Sequence, residues 1–144
     1  MDEFMKAAID EARKGLAEGG IPIGSVLVKN GKIIGRGHNQ RVQKGSPTLH
    51  AEIDCLENAG RIGSYKNTVL YSTLMPCYLC SGAVVQFEIK KVIVGESATF
   101  PGGPEFMREH GVDVTDLDLD ECKKLMTDFI EANPKLWNED IGEL

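Results

Sequence analysis

The feature that most restricts how this chain can fold is a pair of short clusters, His50-Ala51-Glu52 and Pro76-Cys77-Tyr78-Leu79-Cys80. Together they hold one imidazole, two thiols and one carboxylate, and they do chemistry only if the chain brings them to one place. Zinc takes nitrogen and thiolate ligands, and a catalytic zinc keeps three protein ligands and one open position. His50, Cys77 and Cys80 supply that count and leave Glu52 free to carry protons. A closed structural site would need a fourth ligand. His38 and His110 are the only other histidines, and His38, beside the loop leading into the first cluster, is the candidate for that place.

Regular helices alone do not bring these groups together. Glu52 sits about 200° around a helix from His50, so both reach one pocket only if His50 lies at the helix start. Cys77 and Cys80, three apart, converge on one helix face. The N-terminus of their helix favours the thiolate form. Two helix ends facing each other would then build the site. A water activated by zinc would add to an amidine-like carbon bearing an amino group. Glu52 would take one proton of that water to a ring nitrogen and, having given it up, help protonate the departing amine with the other. Such acid–base groups contribute about 10²–10⁴-fold.

Around the clusters, the sequence predicts alternating helices and strands. Apolar residues at helical spacing predict a helix over Asp2–Leu16, ended by Gly19-Gly20. Ile21–Val28 and Lys32–Gly37 read as a hairpin about Asn30-Gly31. Gly24, Gly35 and Gly37 mark bulges or a close approach to something bound. A polar loop over Asn39–Thr48 leads to a helix over about Leu49–Asn58, with Thr48 as its cap. Val69–Ser72 is a strand feeding the Met75-Pro76 corner, and Pro76 suits the first turn of a helix through about Phe87. Val92–Gly95 and Val112–Leu117 are further strands, with a Gly/Pro-rich loop and a short helix over Glu105–Glu109 between them. Asp118 and Glu121 resemble a capping pair for a helix over about Leu119–Ala132. Asn133-Pro134 stops it, and a tail carrying Trp137 follows. The pattern is α/β, a layered domain with a mixed sheet covered by helices.

A chain of 144 residues with 42% hydrophobic content suits one globular domain. Its net charge of -6 gives no encouragement to a phosphate backbone or an anionic membrane. No apolar run is long enough to cross a bilayer, and the start, Met1-Asp2-Glu3-Phe4, lacks a basic signal-like region. The expected location is the cytoplasm, with reduced thiols. Cys55 and Cys122 are then expected to be buried and structural.

The combined pattern His-x-Glu followed by Pro-Cys-x-x-Cys is the signature of zinc base deaminases. The chain resembles the cytidine deaminase-like superfamily, and within it is similar to the small fungal-type cytosine deaminases that act on the free base. The resemblance runs nearly end to end, through Gly19-Gly20-Ile21-Pro22-Ile23-Gly24, Gly35-Arg36-Gly37-His38-Asn39, Thr48-Leu49-His50-Ala51-Glu52, Val94-Gly95-Glu96 and the tail Trp137-Asn138-Glu139-Asp140-Ile141-Gly142-Glu143. It implies a three-layer α/β/α domain over residues 1–144 with a five-stranded mixed sheet, a homodimer, and residues 134–144 closing the pocket. It implies one zinc per chain on His50, Cys77 and Cys80, with Glu52 as proton shuttle. By the same resemblance, Asn39 and the Ala51 backbone N–H bind the carbonyl edge of the base and Asp140 its exocyclic amine. Phe100 and Trp137 form aromatic walls, and Ile23 packs beside the ring. The activity implied is hydrolysis of cytosine to uracil and ammonia, in pyrimidine salvage, with neither nucleic acid nor membrane as partner. Two positions depart from the fungal pattern: Met75 replaces a serine, and Tyr78 replaces an acidic residue. Met75 adjoins the place expected for the leaving amine, so isocytosine, guanine or another small amino-heterocycle stays open as the base.

Overall fold

The computed structural model describes residues 1–143. Seven helices and five strands are described: α1 (Glu3–Ala17), β1 (Gly24–Lys29), β2 (Lys32–His38), α2 (Arg41–Lys44), α3 (Ala51–Ala59), β3 (Thr68–Ser72), α4 (Tyr78–Gln86), β4 (Lys91–Val94), α5 (Pro104–Glu109), β5 (Asp113–Asp116), α6 (Asp120–Ala132) and α7 (Pro134–Asp140). The strands form one mixed sheet in the order β2-β1-β3-β4-β5. β1 runs antiparallel to β2 and β3, while β3, β4 and β5 are parallel.

Alternation along the strands explains the three layers. Val26, Val28 and Tyr71 point to one face, where they meet Met5, Ala8 and Ile9 of α1 and Cys122 of α6. Leu27, Leu70, Val92 and Val94 point to the other, against Cys55 of α3, Val84 of α4 and Met107 of α5. A sheet covered on both sides needs apolar residues in both registers, which is why these strands read as continuous apolar runs. The fold is the expected three-layer α/β/α arrangement on a five-stranded mixed sheet.

Local signals account for most element ends. Asp2 caps α1, its Oδ1 accepting from the Phe4 N–H at 2.7 Å. Gly19, at φ +89, turns the chain out. Asn30 and Gly31 both have positive φ, the conformation a two-residue hairpin requires. Opposite Leu27 and Val28 the register skips Ile34, placing a bulge there. The hairpin glycines are approached by helices and not by a ligand. A Cβ on Gly24 would lie 2.0 Å from the Ala8 carbonyl oxygen, and one on Gly37 would lie 2.5 Å from the Cys55 nitrogen.

Several boundaries differ from expectation. The loop after β2 contains the single turn α2, begun when Asn39 Oδ1 accepts from the Arg41 N–H at 3.0 Å. His50, not Thr48, takes the N-cap position of α3, because its ring is drawn toward Cys77. Cys77 likewise occupies the N-cap of α4, so Pro76 lies one residue outside the helix. Leu119 precedes α6 without a side-chain cap. Asp118 pairs instead with Lys123 at 2.6 Å, and Glu121 pairs with Arg13. The tail after Asn133 is itself the short helix α7, with Pro134 at its start. Leu144, the last residue of that expected tail, lies outside the described residues.

Candidate active site

At the carboxyl end of β3 the chain turns through Leu74, Met75 and Pro76 into α4, whose start faces the start of α3. His50 and Cys77, both extended at the N-caps of these helices, meet there, with His50 Nδ1 3.4 Å from Cys77 Sγ. One donor atom each from His50, Cys77 and Cys80 falls within 4.8 Å of the other two. Around a tetrahedral zinc with bonds of about 2.0–2.3 Å, such donors stand roughly 3.5–3.8 Å apart. The donor set and its spacing fit one zinc ion. His38 and His110 lie elsewhere. His38 sits between Glu11 and Glu18, and His110 bonds the Phe106 carbonyl, so neither is a fourth ligand.

The electrostatics suit a metal centre beside a proton carrier. A hydrogen bond from the Cys80 thiol holds the Cys77 thiol down at about 4 despite burial, with His50 assisting. Cys80, as the donor in that bond and a buried group, is pushed the other way. Burial lowers the affinity of His50 for its proton, but the bond to Cys77 and the charge on Glu52 outweigh it. Glu52 is buried at the first turn of α3, and burial, reinforced by Cys77, raises its carboxyl to about 7. A group at that value is both acid and base near neutral pH.

A small cavity opens onto these groups. Its wall includes Ile23, Asn39, Glu52, Met75, Phe100, Trp137 and Asp140, all anticipated from the sequence, with Leu74 and Ile141 in addition. Phe100 and Trp137 meet edge to face, their centroids 6.0 Å apart. Ala51 is fully buried beneath the cavity. As the first residue of α3 its N–H has no acceptor within the helix. Asn39 is buried and held by three bonds: its N–H to the Ile23 carbonyl, its own carbonyl to Gln43 Nε2, and its Oδ1 to the Arg41 N–H. Its Nδ2 alone is left without a partner. The amide therefore presents a donor to the cavity.

Arg41 was not anticipated. Its guanidinium pairs with Asp140 on α7, both side chains being nearly buried, and its Nε donates to the Pro47 carbonyl at 2.9 Å. A lone arginine in a polar loop carries no signal of a partner almost a hundred residues away. Tyr78, by contrast, is 77% exposed and takes no part in the cavity wall. Burial pushes the Cys122 thiol up to about 12 and raises that of Cys55. Both are buried and unpaired, as expected of structural thiols.

The sequence profile for the cytidine and deoxycytidylate deaminase zinc-binding region matches residues 1–96. The chain is 45% identical to a cytosine deaminase of Candida albicans over 142 residues, covering 96% of this chain and 95% of that one. It is 42% identical to a tRNA-specific adenosine deaminase of Streptococcus pyogenes over 105 residues, 71% of this chain and 66% of the relative. The solved structure of a guanine deaminase from Bacillus subtilis superposes with a TM-score of 0.61 at 32% identity, covering 78% and 72% of the two chains.

Proposed function

Because the chain belongs to the family of cytidine and deoxycytidylate deaminase zinc-binding domains and is a zinc-dependent deaminase, we propose that its reaction is hydrolysis of the free base cytosine to uracil and ammonia. His50, Cys77 and Cys80 would hold the zinc ion, which would supply Lewis acidity and activate water at neutral pH. Glu52 accepts one proton from the attacking water and passes it to the ring nitrogen, then carries that water's second proton to the departing amine. Asn39 Nδ2 and the Ala51 N–H donate to the carbonyl edge, Asp140 accepts from the amine edge, and Arg41, paired with Asp140, holds that carboxylate in place. Phe100, Trp137 and Ile23 cover the ring and exclude water.

The observation that carries this choice of substrate is the cover formed by α7. Trp137, Asp140 and Ile141 close over a small cavity, which suits a free base better than a nucleoside carrying a ribose. The likeness to the Candida cytosine deaminase covers 96% of the chain and so reaches into this helix. A second base class, guanine or isocytosine, is favoured by one feature: the apolar Met75 side chain in the cavity wall. Ammonia release from cytosine, isocytosine, guanine, cytidine and adenosine decides between them. Cytosine is expected to lead, and a nucleoside leading would remove the free-base assignment.

The homodimer belongs to the same proposal. The apolar residues of α4 are not confined to one face, and Leu79 and Phe87 remain 44% and 45% exposed beside a groove between α3 and α4. Sedimentation at micromolar concentration is expected to give twice the chain mass. The net charge of -6 supports a small-molecule substrate over a nucleic acid. No helix among the described residues is long and apolar enough to cross a membrane, and a cytoplasmic location is part of the proposal.

A further inference from the structure

One fully buried carboxyl group has no part in the chemistry above. Glu96 lies two residues beyond β4 and is shut off from solvent. A carboxylate is costly to bury unless its oxygens are bonded. Here both oxygens bond the same residue, three positions on. Oε2 accepts the Thr99 N–H at 3.0 Å, and Oε1 accepts from the Thr99 hydroxyl. The residue after Thr99 is Phe100, whose ring forms part of the cavity wall.

The segment that carries Phe100 is pinned at its two ends to one corner of the chain. At the start, the Glu96 carbonyl accepts the Met75 N–H at 3.0 Å, and the Ser97 hydroxyl bonds Asp116. At the far end, the Gly103 N–H donates to the Pro76 carbonyl at 3.0 Å. Gly102, at φ +65, lets the chain close on this corner. A Cβ there would lie 2.5 Å from both Met75 Cγ and the Pro76 carbonyl oxygen. Between these ends the loop is tied inward at Thr99, one residue from the aromatic ring. Phe100 is half-buried and meets Trp137 edge to face.

We propose that Glu96 is a positioning residue for base recognition: its buried carboxylate holds Thr99 and so sets the Phe100 ring against Trp137 as a wall over the base. A ring on the Pro101-Gly102-Gly103 loop without that tie would sample several positions and lose that freedom on binding, at the expense of affinity. The tie orders the ring before the base arrives. The bond to Met75 uses the Glu96 main chain and not its side chain, so the corner leading to Cys77 does not depend on the carboxylate. Base affinity therefore depends on this side chain, and proton transfer by Glu52 does not. This rests on the assignment of Phe100 to the aromatic wall over the base.

The test compares Glu96→Gln with Glu96→Met in the holoenzyme. Glutamine can accept the Thr99 N–H through its oxygen and donate to the Thr99 hydroxyl oxygen through its amide, keeping both ties. Methionine fills similar space and keeps neither. Glu96→Met is expected to raise the KM for cytosine about tenfold, the scale of one weakened base–aromatic stack. Its kcat should stay within about twofold of wild type, and Glu96→Gln should match wild type in both constants. Trp137 is the only tryptophan, so acrylamide quenching of its emission reads the packing of Phe100 without turnover. Quenching should rise in Glu96→Met and not in Glu96→Gln. A lower melting temperature with KM and quenching unchanged, or a loss confined to kcat, would overturn the proposal. If Glu96→Met does not fold, Thr99→Val, which lacks the hydroxyl, is compared with Thr99→Ser, which keeps it, by the same two readings. Unchanged quenching rejects the proposal whatever base is deaminated, whereas failure to release ammonia from any free base rejects only the substrate assignment.

Discussion

The two sides of the cavity are built differently. The metal side comes from two helix starts, α3 and α4, and every group on it belongs to one of two short sequence clusters. The base side is gathered from Ile23 before β1, Asn39 after β2, Phe100 after β4, and Trp137 and Asp140 on α7. On the metal side the reactive atoms are fixed by covalent neighbours and helix caps. On the base side they are fixed by bonds between remote segments, such as Arg41 to Asp140 and Asn39 to Ile23. On the proposed function, the contrast separates chemistry from selectivity. Changes at the metal side should act on kcat, and changes at the base side should act mainly on KM.

The largest effect is expected at Glu52. Glu52→Gln should keep about one zinc per chain and lose about 10²–10⁴-fold in kcat, measured by metal analysis and single-turnover ammonia release. Retained turnover would take the proton transfers away from Glu52. Asp140→Ala comes next, with a rise of about 10²-fold in KM for the free base and a smaller change in kcat, on the scale of one lost bond to a charged group. A loss in kcat alone would move Asp140 to the chemical side.

Arg41→Gln leaves Asp140 in place without its ion pair. A rise of about tenfold in KM is expected, with Arg41→Lys recovering much of it. Met75→Ser should change the ratio of kcat/KM between cytosine and isocytosine by a few-fold, roughly the value of one altered apolar contact. The smallest effect belongs to Tyr78→Asp. That side chain is exposed and off the cavity wall, so every kinetic constant should stay within about twofold. A large shift there would mean that the residue reaches the substrate through a partner subunit.

How much was legible in the sequence follows the same division. The metal ligands, Glu52 and the need for His50 at a helix start could be reasoned from residue type and spacing, since short-range geometry fixes them. The hairpin at Asn30-Gly31 and the apolar periodicity of α1 and α6 were equally local. Asn39, Phe100, Trp137 and Asp140 were reached only through family resemblance, because nothing in their own neighbourhoods distinguishes a ligand contact from a turn, an anchor or a surface charge. The Arg41–Asp140 pair left no local trace. Cap assignments failed where function competes: at residue 50 the metal-facing ring occupies the position a capping hydroxyl would otherwise take. Asp118 failed for another reason, since Lys123 claims its carboxylate.

The central claim is that one zinc on His50, Cys77 and Cys80 drives removal of an amino group from a free base. The most direct measurement is ammonia release from cytosine as a function of zinc returned to chelator-stripped protein. The rate should vanish with the metal and climb in proportion to zinc up to one ion per chain. Ammonia release that persists in the stripped protein, or zinc that binds to one equivalent without restoring release, would contradict it.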